Sequence, residues 1–244
     1  MAHFPPGWRG WTYNGSIEKL AKENYVIAYN RRGHGSTRFP EGSTLEDIVK
    51  DIIALLDILC IEKVNAVGMS MGTYVLGCAA GIAPERFNSM VLIVPNSHSI
   101  GGSPGTQFVR KMGINPSTAT VEELNSIGRA YYAPTTTDEM IESHKNWDKQ
   151  FADLPKLPPE DVATAIKVIS DFDFRDNFRN LKKPVLVMSG QYDVINTPDR
   201  GREIASLIDG GRFVEIPDCG HNLFIEQNET CVDTMLTFLR SVNG

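Results

Sequence analysis

The order of apolar and helical patterns predicts an α/β fold: a doubly wound, mostly parallel sheet with an inserted helical cap. Three observations carry that expectation. Short apolar runs at 25–29, 64–67, 90–94, 185–189 and 212–216 read as strands buried on both faces. Stretches of helical periodicity separate them, which is the alternation of a parallel sheet. The alternation then stops between about residues 95 and 181, where no strand pattern occurs and helix starts recur.

Taken in order, residues 3–11, His-Phe-Pro-Pro-Gly-Trp-Arg-Gly-Trp, form a turn-rich loop punctuated by Pro and Gly. Residues 14–23 read as a helix with Ile17, Leu20 and Ala21 on one face. The strand at 25–29 runs into Asn30-Arg31-Arg32-Gly33-His34-Gly35-Ser36, a loop rich in glycine and charge. Thr44, with Asp47 three residues on, is a capping box. It opens a helix to about Leu59 whose Ile48, Ile52, Leu55, Leu56 and Leu59 face inward. The strand at 64–67 meets a tight turn and an Ala- and Gly-rich helix to about Ala83. Inside the insertion, Thr120 before Glu123, Thr136 before Glu139 and Pro159 before Glu160 mark helix starts. The strand at 185–189, a helix around 200–208, the strand at 212–216 and a helix to about 242 complete the core. The division is therefore 1–94 with 182–244 as the core, and 95–181 as the cap.

Composition excludes several function classes. A hydrophobic content of 41% and a charged content of 22% over 244 residues suit a globular domain with a sizeable core. A net charge of −6, with no basic run, argues against non-specific binding to nucleic acid or to an anionic membrane. No apolar run approaches the length of a membrane-spanning helix. The first residues lack the charged and apolar regions of a signal peptide. Cys60, Cys78, Cys219 and Cys231 are widely spaced and read as free thiols of a reducing compartment, so a cytoplasmic setting is expected. No metal-ligand spacing occurs, and neither metal nor cofactor is expected.

The chemistry concentrates at Gly68-Met69-Ser70-Met71-Gly72, a G-x-S-x-G turn between a strand and a helix. Glycines at both ends let strand and helix approach closely, so the turn lifts Ser70 Oγ off the sheet edge. The position at the helix start also aims backbone N–H groups at any negative charge forming nearby. In a parallel sheet, working residues sit beyond the carboxyl ends of the strands. Two more fall there: Asp193 in Gly190-Gln-Tyr-Asp-Val194, and His221 in Pro217-Asp-Cys-Gly-His-Asn222. A serine hydroxyl needs a base within reach, and the base needs a carboxylate to fix its tautomer.

With His3-Phe4-Pro5, Arg32-Gly33-His34-Gly35 and Gly220-His221, these motifs make the chain resemble the α/β-hydrolase superfamily. The similarity is to its small capped esterase, lactonase and C–C hydrolase branch. It implies Ser70 as nucleophile, His221 as general base, Asp193 as orienting acid, and Met71 and Phe4 N–H as oxyanion donors. The loop at Phe4 lacks the glycine that the family places after the histidine. A serine at the elbow argues against epoxide hydrolase and haloalkane dehalogenase, whose relatives carry aspartate there. Some relatives place the triad acid after the preceding strand, but Val94-Pro95-Asn96-Ser97 offers no carboxylate. The family also places a hairpin and a third strand ahead of the His-Phe-Pro loop, the latter between the strands at 25–29 and 64–67. Its lack predicts either direct pairing of those two or unpaired apolar edges, and suggests an N-terminally short chain.

The remaining candidates have ordinary readings. Asp218 is a solvated turn residue, His34 a structural brace, and His3 a terminal residue. His98 and His144 are read as surface residues. Tyr131, Tyr132 and Trp147 are helix core before they are pocket lining. The expected function is a serine hydrolase acting on a small, largely apolar ester or lactone. The alternatives are a C–C bond hydrolase with the same triad, or a ligand-binding receptor on the same fold. Oligomeric state is left open.

Overall fold

The computed structural model describes residues 7–115, 118–153 and 157–243. Its strands are β1 (Val64–Met69), β2 (Phe87–Ile93), β3 (His98–Ser99), β4 (Phe172–Asp173), β5 (Val185–Gly190) and β6 (Arg212–Ile216). Four of them form a parallel sheet in the order β1-β2-β5-β6, while β3 and β4 pair antiparallel on their own. The helices are α1 (Ser16–Ala21), α2 (Leu45–Ile58), α3 (Met71–Ile82), α4 (Pro104–Lys111), α5 (Val121–Arg129) and α6 (Asp138–Lys149). They continue as α7 (Pro159–Val168), α8 (Arg175–Asn180), α9 (Pro198–Leu207), α10 (Leu223–Glu226) and α11 (Asn228–Asn243).

The strands divide their side chains between two cores because successive residues point to opposite faces. Met90 and Leu92 of β2, with Val185 and Val187 of β5, join Ile48, Tyr74, Val75, Ala79 and Ile204 from the helices on one side. Val91, Ile93, Leu186 and Met188 join Leu20, Val232 and Met235 on the other. That is the double winding expected from the apolar runs. α8 packs on α3, and its Phe178 lies in the first core. Helices α4 to α7 all fall between β3 and β4.

Four local expectations need correction. The stretch from 95 to 181 is not without strands: β3 and β4, two residues each, pair with one another within it, too short to leave a strand pattern in the sequence. Residues 25–29 form no strand: they run outside any ladder, and Tyr25 is 87% exposed. An apolar run shows what can be buried, but a strand also needs a hydrogen-bonding neighbour. The outer edge of β1 has no partner among the described residues. Thr136 does not cap α6; Thr137 does, its side chain accepting from Met140 N–H. Leu59 is exposed because the helix has already ended there. The capping box at Thr44–Asp47 forms as expected, and the helix start expected at Thr120 is a capping box with Glu123.

The end of α2 shows how that helix stops. Cys60 takes a left-handed φ of 55°, Cys60 N–H donates to Asp57 O, and Ile61 N–H donates to Leu56 O. This is a Schellman closure with cysteine where glycine is usual. The left-handed conformation costs an L-residue about 1–2 kcal/mol, more than the extra chain entropy of about 0.5–1 kcal/mol that glycine loses. Cys60→Gly is therefore expected to stabilise the fold by about 0.5–1 kcal/mol in a urea titration. A lowered midpoint would show that the exposed thiol contributes more than its backbone costs.

Candidate active site

Ser70 sits between β1 and α3 with φ 49° and ψ −115°, a conformation L-residues rarely adopt. The turn can close because Gly68 has no side chain. A Cβ there would lie 2.6 Å from Gly72 O and 2.7 Å from Gly72 C. A Cβ on Gly72 would meet nothing within 4 Å, so only the first of the two glycines is required by close approach. Ser70 N–H donates to Ile93 O at 2.8 Å, and Ser70 O accepts from Thr73 N–H at 2.8 Å and Thr73 Oγ1 at 2.6 Å. Met71 is the first residue of α3, so its N–H has no partner within the helix. Phe4, the other expected oxyanion donor, and His3 lie outside the described residues.

His221 and Asp193 meet Ser70 from two other loops. His221 Nε2 lies 3.1 Å from Ser70 Oγ, and Nδ1 lies 2.8 Å from Asp193 Oδ2. With Asp193 ionised, Nδ1 carries the proton and donates to it, which leaves Nε2 to accept from the serine hydroxyl. Asp193 is 2% exposed, and its other oxygen accepts from Ile195 N–H at 2.8 Å and Asn196 N–H at 3.0 Å. The two loops are fastened to each other. Tyr192 N–H donates to Cys219 O at 2.8 Å, and a Cβ at Gly190 would lie 1.9 Å from Gly220 O. Asp218 is exposed, its N–H donating to Gln191 Oε1, and the carboxylate beside His221 Nδ1 is that of Asp193. Such an arrangement can move a proton from a hydroxyl to an imidazole while a buried carboxylate holds the ring.

Two further residues, Tyr74 and Asn196, belong to this cluster and were not singled out from the sequence. Tyr74 lies one helical turn after Ser70, and its buried hydroxyl accepts from Asn196 Nδ2 at 3.1 Å. Asn196 Nδ2 also donates to Val94 O at 2.7 Å. Burial pushes the Tyr74 phenol up, and hydrogen bonds with Asn196 and Ser70 partly offset the push. The i, i+4 spacing from the elbow serine was the available signal for Tyr74.

The histidines and aromatics away from the triad are also placed. His34 accepts from Arg31 Nη2 at 2.9 Å; burial and that guanidinium hold its pKa well below the usual value, as a brace requires. His98 and His144 are half-buried rather than surface residues. His98 lies between Ser97 and Arg200, and His144 contacts the Tyr132 hydroxyl at 2.7 Å. Sequence spacing alone cannot show that β3 and α6, which carry these two residues, are partly covered by neighbouring side chains. Tyr131 stands edge-on to His221, with ring centroids 5.6 Å apart, whereas Tyr13 and His144 pack on Trp147. A groove of about 760 Å³ runs beside Tyr13 and Trp147, and its lining contains none of Ser70, Asp193 or His221. Among the described residues, no helix is long and apolar enough to cross a membrane.

Comparison with known proteins gives the same frame. A family model described as alpha/beta hydrolase fold matches residues 4–227. The chain belongs to the α/β-hydrolase family. It is 30% identical over 235 residues to the Mycobacterium tuberculosis protein designated non-heme bromoperoxidase BpoC, covering 92% of this chain and 86% of that one. It is 24% identical over 239 residues to 3-oxoadipate enol-lactonase 1 of Acinetobacter baylyi, covering 93% and 82%. Among solved structures, the enol-lactonase of Burkholderia xenovorans LB400 superposes with a TM-score of 0.76 at 27% identity, over 96% of this chain and 87% of that one.

The elbow geometry separates its two glycines experimentally. Gly68→Ala is expected to destabilise this α/β hydrolase by about 3 kcal/mol or more, since backbone atoms block the new methyl. Gly72→Ala is expected to hold or raise the unfolding midpoint, by no more than about 1 kcal/mol. Thermal unfolding of the pair checks the contrast; equal losses would refute it.

Proposed function

We propose that the protein is a serine hydrolase that cleaves a small, largely apolar ester or lactone through an acyl-enzyme on Ser70. The observation that carries this reading is the unbroken hydrogen-bond chain from Ser70 Oγ to His221 to the buried Asp193 carboxylate. Relatives named enol-lactonase support the substrate class. In this reading His221 Nε2 takes the Ser70 proton as Oγ attacks the carbonyl carbon. The tetrahedral oxyanion forms against Met71 N–H, where the start of α3 favours negative charge. His221 then returns the proton to the leaving oxygen, and the ester bond breaks. A water deprotonated by the same imidazole releases the acid and restores Ser70. Asp193 holds the ring and stabilises the imidazolium without accepting the proton.

Residues 95–181 act as the cap in this proposal, excluding water and setting substrate preference. Their neck is the β3–β4 pairing, His98 to Asp173 and Ser99 to Phe172. The four free thiols support action in a reducing cytoplasm.

Ser70→Ala and His221→Ala should each lower kcat on a generic short-chain ester by about a thousandfold or more. A fluorophosphonate probe should form an adduct on Ser70, read by mass spectrometry, that both substitutions abolish. A folded wild-type protein that forms no adduct would overturn the serine mechanism. An adduct without turnover of any ester or lactone would favour the receptor or C–C hydrolase reading.

A further inference from the structure

Glu226, at the end of α10, is a buried carboxylate that accepts hydrogen bonds from uncharged donors of two segments, one close in sequence at 219–220 and one distant at 133–136. Oε1 accepts from Ala133 N–H at 2.6 Å and from Thr136 Oγ1 at 2.5 Å. Oε2 accepts from Gly220 N–H at 2.9 Å and from Cys219 Sγ at 3.9 Å. Ala133 and Thr136 lie in the loop between α5 and α6, whereas Cys219 and Gly220 immediately precede His221. Burying an ionised carboxylate is costly unless donors replace its water. Here each oxygen takes one main-chain N–H and one side-chain donor from a different loop, so the two loops are held together.

Other contacts join the same two segments. His221 N–H donates to Tyr131 O at 2.8 Å. A Cβ at Gly220 would lie 2.6 Å from Tyr131 O and 2.9 Å from Ala133 N, so the two backbones are in direct contact. Arg129 holds the far side of the loop, donating to Ala133 O at 2.9 Å and Thr136 O at 3.2 Å. The edge-on Tyr131 ring then covers His221. The displaced cap of α6 is part of this arrangement: Thr136 is used by Glu226, and Thr137 caps the helix instead.

We propose that Glu226 is a positioning residue that registers the 131–136 loop against the His221 loop. One carboxylate thereby sets both the placement of the imidazole against Ser70 and the edge of the segment covering the cleft. The consequences for turnover rest on the reading of His221 as the general base; the registration itself does not.

Glu226→Gln is the discriminating substitution. Whichever way the amide turns, its NH2 faces a backbone N–H, that of Ala133 or that of Gly220, and one loop loses its acceptor. Thr136→Val keeps the carboxylate and removes one donor from the loop side only. Both variants are compared with wild type by kcat and KM on a short-chain ester, and by 15N NMR titration of the His221 ring, which needs no turnover. Glu226→Gln is expected to lower kcat about ten- to hundredfold, as a small displacement of a catalytic base does, and to shift the His221 titration. Thr136→Val is expected to raise KM with kcat nearly held, and to shift the titration less. A purely structural role would lower the unfolding midpoint and leave kcat and the titration in place, which would overturn the proposal. If wild type turns over no ester, the serine hydrolase reading fails separately and the His221 titration alone decides for or against Glu226. If Glu226→Gln does not fold, an unmoved KM and titration in Thr136→Val overturn it.

Discussion

The approach of Gly68 to the Gly72 backbone is the constraint on which the rest of the site depends. It lets β1 turn into α3 within a few residues and forces Ser70 to the left-handed side of φ. Such a residue costs on the order of 1–3 kcal/mol and persists only where its surroundings over-determine it. Here α3 is buried along most of its length, against the sheet and beside α2 and α8. Relaxing the turn would pull that helix from the core. The next strand carries a second strained residue, Val94, with φ 47° just beyond β2. Its N–H donates to Met188 O and its carbonyl accepts from Asn196. Left-handed residues thus stand beyond the carboxyl ends of β1 and β2, and Asp218 with φ 49° adds another beyond β6.

Around that point the loops are tied to one another more than to solvent. The Asp193 and His221 loops touch through Gly190 and Gly220, and Asn196 links the acid loop to Tyr74 under the serine. Glu226 adds the loop at 131–136. These are short-range hydrogen bonds in a poorly solvated region, where each unsatisfied group would be costly. Burial also pushes the nearby Cys231 thiol up to about 12, helped by the Glu226 charge, so it stays protonated.

The β3–β4 pairing follows the same logic. Arg200 donates to His98 Nε2, the proton on Nδ1 faces Ser97, and Ser97 donates to Glu203 at 3.1 Å. Burial first, and then Arg200, hold the His98 pKa down, which keeps the ring neutral as this relay requires. Beside it, β3 and β4 bring residues 98–99 and 172–173 together. Segments between them and beyond reach the rest of the fold at several places: Glu226 holds the 131–136 loop, Phe39 N–H and Arg38 donate to Asp161, and α8 packs on α3.

By itself the sequence determined the alternating architecture and the capping box at Thr44–Asp47, and it nominated Ser70, Asp193 and His221 as candidates that the fold then brings within hydrogen-bond reach of one another. Those follow from local signals: period, cap chemistry, and the position of a residue just after a strand. The tertiary structure alone decided that 25–29 joins no ladder, since a ladder needs a partner strand that periodicity cannot supply. It also decided that Thr136 serves Glu226 across 90 residues rather than the helix beside it. A hydroxyl at a helix start has a local acceptor role and a distant donor role of similar strength. Only the packed chain brings the distant carboxylate within reach.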